Sequence, residues 1–496
     1  MKKIVIAALA TMSFSAVSLT TLAQKNALLE QSFWKNNPDV TAVKAEVEKG
    51  SNPSQLNPMS FDPVVMAINA GAPNVTIEYL LTQPGNTVSK LTHDGRTYLH
   101  WAASKGNVEI MEYLVSKGAK ADVIDSHGAT PLNFAAGGGQ QNTKVYDICL
   151  AHGADLKKDL NQEGANALLL AIAGDTKELT LTNYFISKGL DLKSKDKNGN
   201  NAFSYAARAG NIDMLKTLLQ KNVPAQDNAM LMAAQGTRRG ANSIEVYQYL
   251  ESLNIKPTVK NENGENVLHL IARKPKQNEI IQHFLSKGVD VNQADEEGNT
   301  VFMNAAAANR DTTVLAMLMK PTKDINKSNL KGVTAVAMAV RSNSPEIVRY
   351  LLDKGASVNA TDSNGDNLAY YLIQSYSPQR ADDFDAKLKV LQEKGFKMAT
   401  PQKNGNTLYH LAVAKNDLSL VKRLESYQVD INSKNSEGMT ALHKAAMISK
   451  DDTMMKYLIA LGAKKDIETN FNETAFDLAG ENESLSKNNV TVNFLK

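Results

Sequence analysis

Residues 92–121 read THDGRTYLHWAASKGNVEIMEYLVSKGAKA and contain one complete structural unit. A turn glycine, Gly95, precedes an apolar helix start, and Gly106 separates that helix from a second apolar stretch that ends at Gly118. In the second stretch apolar residues recur every three or four positions, which is typical of an amphipathic helix. The segment therefore predicts a hairpin turn followed by two short antiparallel helices.

The same unit recurs along most of the chain, from about residue 25 to residue 480. Its turn glycine returns at a spacing that is mostly 33 to 36 residues. The ten positions are Gly95, Gly128, Gly164, Gly199, Gly264, Gly298, Gly332, Gly365, Gly405 and Gly438. A period near 33 with two helices per period indicates a repeat protein, in which each unit packs only on its neighbours.

The repeated motif resembles the ankyrin repeat, in which a hairpin glycine precedes a TPLHxAA helix start. Clear copies are DSHGATPLNFAA at 125–136 and NSEGMTALHKAA at 435–446, and ten copies stand in register. This resemblance implies an all-α fold, an ankyrin-repeat solenoid of about 13–14 helix-turn-helix units with short β-hairpin turns. Small residues such as Ala102 and Ala103 fit this fold because they let neighbouring helices approach closely.

Recurrent Lys-Gly pairs are predicted to end the second helix of the unit. Glycine tolerates the left-handed conformation that follows a helix end, and lysine interacts favourably with the negative end of the helix dipole. A functional basic ridge is the alternative, but helix capping explains the pairs with fewer assumptions. The pairs are Lys49-Gly50, Lys117-Gly118, Lys188-Gly189, Lys287-Gly288, Lys354-Gly355 and Lys394-Gly395.

Four segments are predicted along the chain. They are a signal peptide at residues 1–23, degenerate N-terminal capping repeats at 24–90, the ankyrin repeat array at 91–480 and a polar C-terminal tail at 481–496. Terminal repeats of an array are expected to be atypical because one of their faces meets water. The tail is expected to be loosely held.

The N-terminal segment predicts export of the protein. Lys2 and Lys3 precede an apolar stretch that begins at Ile4, and Ala23 ends it, which is the layout of a secretory signal peptide. An uncleaved membrane anchor is the alternative, although serines and threonines within the stretch weaken it. The periplasm is the favoured destination, secretion is the alternative, and the mature protein is not expected to stay inserted in a membrane.

The composition disfavours a nucleic-acid partner. The chain has 55 basic and 52 acidic residues, and the signal peptide contains two of the basic ones. A charge so nearly balanced provides no electrostatic footprint for a phosphate backbone. Cys149 is the one cysteine, so an intramolecular disulfide and a cysteine metal cluster are both excluded, and its apolar context predicts a small buried hydrophobe.

The sequence contains no recognisable catalytic motif, and we expect no catalytic residue, cofactor or metal. His100, His269, His410 and His443 occupy the same position of the motif, which raises the alternative of a metal-binding ladder. Whole repeats separate these histidines, however. The resemblance implies instead that they join one hairpin to the next by hydrogen bonds.

The resemblance implies a non-catalytic protein-protein interaction scaffold that binds a partner protein through its hairpin tips and concave helix face. The alternatives are a secreted effector that acts on a host protein and an enzyme of unrecognised type. Two loops that depart from the repeat, at 235–243 and 375–385, are further candidates for contact, with neutral drift as the alternative.

The candidate contact residues implied by the resemblance lie at the tips and just after the paired small residues of the first helix. They are His93, Asp94, Arg96, Ser104, Ser126, His127, Gly137, Lys197, Asn198, Arg208, Glu262, Asn263, Arg273, Glu296, Glu297, Ala307, Lys403, Asn404, Ala414, Ser436, Glu437 and Met447.

Overall fold

A computed structural model describes residues 25–237, 240–427 and 429–496. The predicted signal peptide at residues 1–23 lies outside these ranges. The chain divides into two compact units, unit 1 at residues 1–202 and unit 2 at residues 203–496. Each unit is described by itself.

The described part of unit 1 consists of ten α-helices that form five antiparallel pairs, with one pair per repeat. Their bounds are α1 Gln31–Trp34, α2 Val40–Glu48, α3 Pro63–Ala70, α4 Asn74–Leu81, α5 Tyr98–Lys105, α6 Val108–Ser116, α7 Pro131–Gly137, α8 Thr143–Ala151, α9 Ala167–Ala171 and α10 Thr180–Ser187. First helices pack on first helices of the neighbouring repeat, and second helices pack on second helices.

The described part of unit 2 continues the same plan with nine helix pairs, and the division between the units falls at the first residue of α11. Their bounds are α11 Ala202–Ala209, α12 Ile212–Gln220, α13 Asn228–Gln235, α14 Ile244–Ser252, α15 Val267–Ile271, α16 Asn278–Ser286, α17 Val301–Ala308, α18 Thr312–Met319, α19 Ala335–Ser342, α20 Pro345–Asp353, α21 Leu368–Ser375, α22 Ala381–Glu393, α23 Leu408–Ala414, α24 Leu418–Arg423, α25 Ala441–Ile448, α26 Thr453–Ala460, α27 Ala475–Glu481 and α28 Glu483–Lys487.

The predicted all-α repeat fold is therefore confirmed, with 14 helix pairs in the described residues. The hairpins contain no extended strand in these residues, and those of unit 2 show isolated bridges such as Ala294 with Thr300 and Ser328 with Thr334. The six glycines of the Lys-Gly pairs all have a positive φ, between 76° and 100°. They occupy the left-handed helix ends that the sequence predicts.

Backbone hydrogen bonds join the tips of successive hairpins. The N–H of Ser126 donates to the carbonyl of Asp94 at 2.8 Å, and in unit 2 the N–H of Ser436 donates to Asn404 at 2.8 Å. Each tip thus satisfies a backbone group of the next one, so the tips form a continuous row within each unit.

The four motif histidines reinforce this row by joining a helix start to the next hairpin. His100 is fully buried, accepts at Nδ1 from the N–H of Thr97 and donates from Nε2 to the carbonyl of Ala129 at 3.1 Å. His269, His410 and His443 make the corresponding bonds in unit 2. The structural interpretation of these histidines is therefore confirmed.

Small and apolar side chains fill the interior of the stack. Ala102 and Ala103 are fully buried, as are Leu99 and Leu114 of the same repeat. Cys149 is also fully buried, and burial raises the pKa of its thiol to about 12. Its predicted role as a small core hydrophobe is consistent with this position.

The C-terminal tail differs from the expectation of a loosely held segment. Residues 481–496 include α28 and a short 3₁₀ helix, and Leu485 and Leu495 are each 1% exposed. Lys465 donates to the carbonyl of Phe494 at 3.2 Å. These apolar anchors cover the last repeat, although the surrounding residues are polar enough to suggest a free tail.

The segment at 375–385 also differs from an inserted loop. Most of it forms a 3₁₀ turn and the first residues of α22, which at 13 residues is the longest helix in the described chain. Tyr376 packs edge-on against Phe384, with ring centroids 5.3 Å apart. The extra residues lengthen a helix because their aromatic pair is buried in the stack.

Among the described residues, no helix combines the length and the apolar character that crossing a membrane requires.

Acid should weaken unit 1 through His100. Burial lowers the pKa of His100 to about 4, whereas an unfolded histidine titrates near 6.5. Below pH 6.5 His100 of the unfolded chain binds a proton, whereas His100 of the folded chain stays neutral. The stability contributed by neutral His100 is therefore complete above pH 6.5 and is lost as pH falls towards 4. The loss is on the order of 3 kcal/mol.

Urea unfolding at several pH values between 7.5 and 4 measures this effect. His100→Gln keeps a donor near the Nε2 position but does not titrate, so we expect a shallower loss of stability in the variant than in the unmodified protein. Equal slopes for the two proteins would show that folded His100 binds a proton as readily as the unfolded residue does, which would contradict the prediction.

Candidate protein-binding surface

Several predicted contact residues converge on one carboxylate in unit 1. Asp94 lies at a hairpin tip, and its Oδ2 has Arg96 Nη1 at 3.1 Å, His127 Nε2 at 3.3 Å and His93 Nε2 at 3.4 Å. We call these four residues the Asp94 cluster. It brings together side chains from two successive hairpins.

Asp94 occupies an unusual backbone position. Its φ is 56°, in the left-handed region that non-glycine residues enter at a cost, although aspartate tolerates it better than most. Partial burial raises the pKa of Asp94, but Arg96 and the two imidazoles together hold it below its ordinary value. The carboxylate is therefore charged and has several cationic or potentially cationic neighbours.

Arg96 departs from the expectation of an exposed contact residue. It is 3% exposed, its Nε donates to Asp125 at 2.9 Å, and its guanidinium lies 4.3 Å from the Phe134 ring centroid and 5.3 Å from that of Trp101. The aromatic rings and the buried carboxylate hold the guanidinium in place. Arg96 therefore holds Asp94 and Asp125 of two successive hairpins from a buried position and does not present its own charge to solvent.

His93 connects this cluster to the preceding repeat. Its ring stacks on Phe61 with centroids 4.5 Å apart, and its Nδ1 lies 2.8 Å from the carbonyl oxygen of Met59. Met59 is 61% exposed at the tip of its own hairpin. An exposed apolar side chain thus lies at the edge of the Asp94 cluster.

A row of exposed aliphatic residues was not found from the sequence. Leu56, Leu91, Ile124 and Leu160 occupy the same position in four consecutive repeats, one residue before the turn, and are 42%, 58%, 62% and 41% exposed. We call them the aliphatic row. Large exposed apolar side chains that recur on neighbouring repeats favour an interaction site.

The corresponding residue of the next hairpin of unit 1 is Lys195, and those of unit 2 are mostly polar or small. They are Lys260, Ala294, Ser328, Thr361, Pro401, Lys434 and Glu468. The sequence contains a signal for this row, because the residue before the turn is a large aliphatic one in four successive repeats and is mostly polar or small in the later ones.

The other predicted contact residues of unit 1 lie apart from the Asp94 cluster. Ser126, Lys197 and Asn198 are exposed on tips, and Ser104 is half-buried at the end of α5. Lys197 donates from Nζ to the carbonyl of Gln162 at 3.1 Å, so it also joins two hairpins.

In unit 2 the predicted tip residues are exposed and spread over several hairpins, so the structure does not bring them into one cluster. They are Glu262, Asn263, Glu296, Glu297, Lys403, Asn404, Ser436 and Glu437. Arg273 is also exposed and pairs with Glu265 at 2.8 Å. Arg208 is half-buried and donates to the carbonyl of Gly236 at 3.0 Å.

The described part of the 235–243 loop is held by basic side chains. Lys274 donates from Nζ to the carbonyl of Ala234 at 2.8 Å and also to that of Gln235. Burial, with a smaller contribution from Arg208, lowers the pKa of Lys274. These contacts secure the end of α13.

Within the described residues, no group of three His, Cys, Asp or Glu side chains is placed to hold a metal ion.

Comparison with known proteins identifies the repeats. A family model described as "Ankyrin repeats (3 copies)" matches residues 34–125, 230–329, 268–362 and 384–494, and one described as "Ankyrin repeat" matches residues 198–228. Together these matches cover well over half of the chain.

Several known proteins match this chain over part of their length. Transient receptor potential cation channel subfamily A member 1 of Homo sapiens is 23% identical over 376 residues, which are 73% of this chain and 33% of the channel. Phosphocholine transferase AnkX of Legionella pneumophila is 28% identical over 129 residues, 24% of this chain and 13% of the transferase. RelA-associated inhibitor of Mus musculus is 26% identical over 132 residues, 26% of this chain and 16% of the inhibitor. The chain thus spans a third or less of each of these relatives.

Removing the Arg96 guanidinium should destabilise unit 1 strongly. Arg96→Met leaves the fully buried Asp125 carboxylate without its ion pair, and such a change typically costs about 3–5 kcal/mol. Arg273→Met is the matched control, because its ion pair with Glu265 is 40% exposed on the arginine side and is worth about 1 kcal/mol or less. Urea denaturation followed by the fluorescence of Trp34 and Trp101, both in unit 1, measures the Arg96 effect, and far-ultraviolet circular dichroism follows the control. Similar losses in both variants would contradict a structural role for Arg96.

Proposed function

Because the chain belongs to the ankyrin repeat family, we propose that it is a non-catalytic scaffold that binds a partner protein through the hairpins of unit 1. The aliphatic row carries this proposal. It combines with Met59 to place five exposed apolar side chains on four consecutive hairpins. Ankyrin repeats indicate a protein-protein interaction scaffold, and the exposed row supports unit 1 as the part that meets the partner.

The energetics of burial support this location. Each fully buried aliphatic side chain contributes about 1.5–3 kcal/mol relative to its exposed state. The four members of the row already protrude, so a partner can cover them without rearranging the repeats. A handful of well-placed apolar residues commonly provides most of the energy of a protein interface.

The Asp94 cluster supports the same location because it fixes the hairpins beside the row. Leu91 and Asp94 belong to one hairpin, and Ile124 and His127 belong to the next. Arg96, buried between two aromatic rings and two carboxylates, holds these hairpins in one arrangement. A surface that is already ordered loses less entropy when it binds.

The name of RelA-associated inhibitor describes a protein that associates with another protein, in keeping with the proposed role. The transferase relative has an enzymatic name, but only 13% of its length matches this chain. We therefore propose protein binding, and not transfer chemistry, for this chain.

We also propose that the protein acts after export, as the signal-peptide pattern at residues 1–23 suggests. Fractionation of the producing cells tests this part separately. Mature protein that lacks residues 1–23 should be recovered from the periplasmic fraction. Recovery from culture supernatant would instead support the secreted effector, and full-length protein in the cytoplasm would contradict export.

Replacing two members of the aliphatic row should weaken partner binding. In the double variant Leu91→Ser and Ile124→Ser the partner loses two apolar contacts, so we expect at least about tenfold lower affinity without loss of the fold, because both side chains are more than half exposed. Affinity capture from the envelope fraction identifies the partner, and titration calorimetry with the purified partner measures the affinity.

The matched control is the double variant Leu330→Ser and Phe471→Ser. These residues are 75% and 73% exposed on hairpin tips of unit 2, so the control removes as much exposed apolar surface at another place. Equal loss of affinity in the two double variants would exclude a specific role for the row. A third variant, with Glu296, Glu297, Lys403 and Asn404 changed to Ala, tests the tips of unit 2 as the binding surface.

A further inference from the structure

We propose that residues 4–23, which we call the leader segment, bind the aliphatic row of their own chain for as long as they remain attached to it. The row then becomes available to a partner only after hydrolysis of the peptide bond that follows Ala23. The inference rests on the proposed function for its biological meaning. Its structural content, the occupation of the row, concerns unit 1 alone and can be tested without a partner.

The described chain begins beside the first member of the row. Asn26 is 8% exposed, and its Nδ2 donates to the carbonyl of Asn52 at 2.8 Å and to Gln55 Oε1 at 2.9 Å. Gln55 directly precedes Leu56 in the sequence. Two residues separate Asn26 from the leader segment, so that segment ends within about 11 Å of Asn26, at the Leu56 end of the row.

The leader segment is long enough to cover the whole row. Neighbouring helices pack about 8–10 Å apart, so the first and last members of a row that covers four repeats are about 24–30 Å apart. The 20 residues of the segment span about 30 Å as an α-helix and at most about 70 Å when extended. With one end placed near Leu56, the other end reaches Leu160.

The apolar positions of the leader segment match the spacing of the row. Apolar residues recur in alternating steps of four and three, at Val5, Leu9, Met12, Ala16, Leu19 and Ala23. In an α-helix such residues form one apolar face, and seven residues rise about 10.5 Å, close to the spacing of about 8–10 Å between repeats. Three large side chains that are seven residues apart, Val5, Met12 and Leu19, therefore match the three gaps between the four members of the row.

An extended segment would not match the row in this way. Side chains on one face of a β-strand are about 6.7 Å apart, which is shorter than the spacing of about 8–10 Å between repeats. The geometry of the row therefore favours an amphipathic helix as its occupant.

Covalent attachment gives the leader segment an advantage over a separate partner. The members of the row are between 41% and 62% exposed, so an occupant can bury apolar surface on each of them. A short connection gives an attached segment an effective concentration on the order of millimolar. A partner at lower concentration must therefore compete with it until the segment is removed.

Photocrosslinking of the full chain tests where the leader segment lies. Synthesis in a membrane-free cell-free system leaves residues 1–23 in place. A probe is attached with benzophenone maleimide to Leu19→Cys or, in a second protein, to Val5→Cys, and Cys149 is fully buried, so the folded chain is labelled at the new site. Peptide mass spectrometry should find the Leu19→Cys probe on the first two hairpins of the row and the Val5→Cys probe on the last two.

The double variant Leu91→Ser and Ile124→Ser, made in each labelled full chain, tests whether the row itself binds the segment. It should lower the crosslinking yield by at least about threefold, because two apolar contacts are lost. The matched control, Leu330→Ser with Phe471→Ser, removes exposed apolar surface from unit 2 and should leave the yield unchanged.

Three outcomes would overturn the proposal. They are crosslinks outside the hairpins of the row, equal yields in the two double variants, and covalent dimers in place of internal crosslinks, which would assign the row to the leader segment of a second copy. All are measured without a partner. If the Leu91→Ser and Ile124→Ser variant weakens partner binding but not crosslinking, the proposed function stands and this inference fails. Loss of crosslinking without loss of partner binding would remove the proposed function alone.

Discussion

No helix pair in this chain can bury its own apolar face, and the structure follows from that constraint. First helices pack on first helices of the next repeat, second helices pack on second helices, and backbone bonds such as that from Ser126 to Asp94 join the tips. Stability is therefore shared between neighbours. One consequence is that the N-terminal and C-terminal repeats need apolar anchors such as Trp34 and Leu495, which are 3% and 1% exposed.

Histidines in this framework have two distinct physical roles. His100 joins repeats as a neutral ring, in which Nδ1 accepts one hydrogen bond and Nε2 donates another. Protonation in acid would break the bond to Nδ1 and so weakens this link between repeats. His93 joins repeats through the contact of its Nδ1 with the carbonyl oxygen of Met59 and through the stacking of its ring on Phe61. The difference depends on which ring nitrogen meets a carbonyl oxygen, and a histidine count cannot reveal it.

The fold could be predicted from the sequence because the same local signals for turns and helix ends recur in many copies of the repeat. Glycine positions gave the turns, and the Lys-Gly pairs gave the helix ends, which the positive φ values confirm. The candidate binding surface was harder to predict from the sequence. Arg96 stands at a tip position but is buried, because Phe134 and Asp125 of the following repeat enclose it. Such cross-repeat contacts have no signature within one copy of the motif, and the docked tail depends in the same way on two leucines in a polar segment.

The aliphatic row shows how a repeat array can separate binding from stability. The residue before the turn is exposed in most hairpins, so its identity has little effect on packing and can vary. In unit 1 that position holds Leu56, Leu91, Ile124 and Leu160 in four successive hairpins and Lys195 in the fifth, and in unit 2 it holds mostly polar or small residues. A large exposed aliphatic side chain at a position with no packing role gains nothing for the free protein. Its recurrence in four successive repeats is therefore best explained by a partner that spans them.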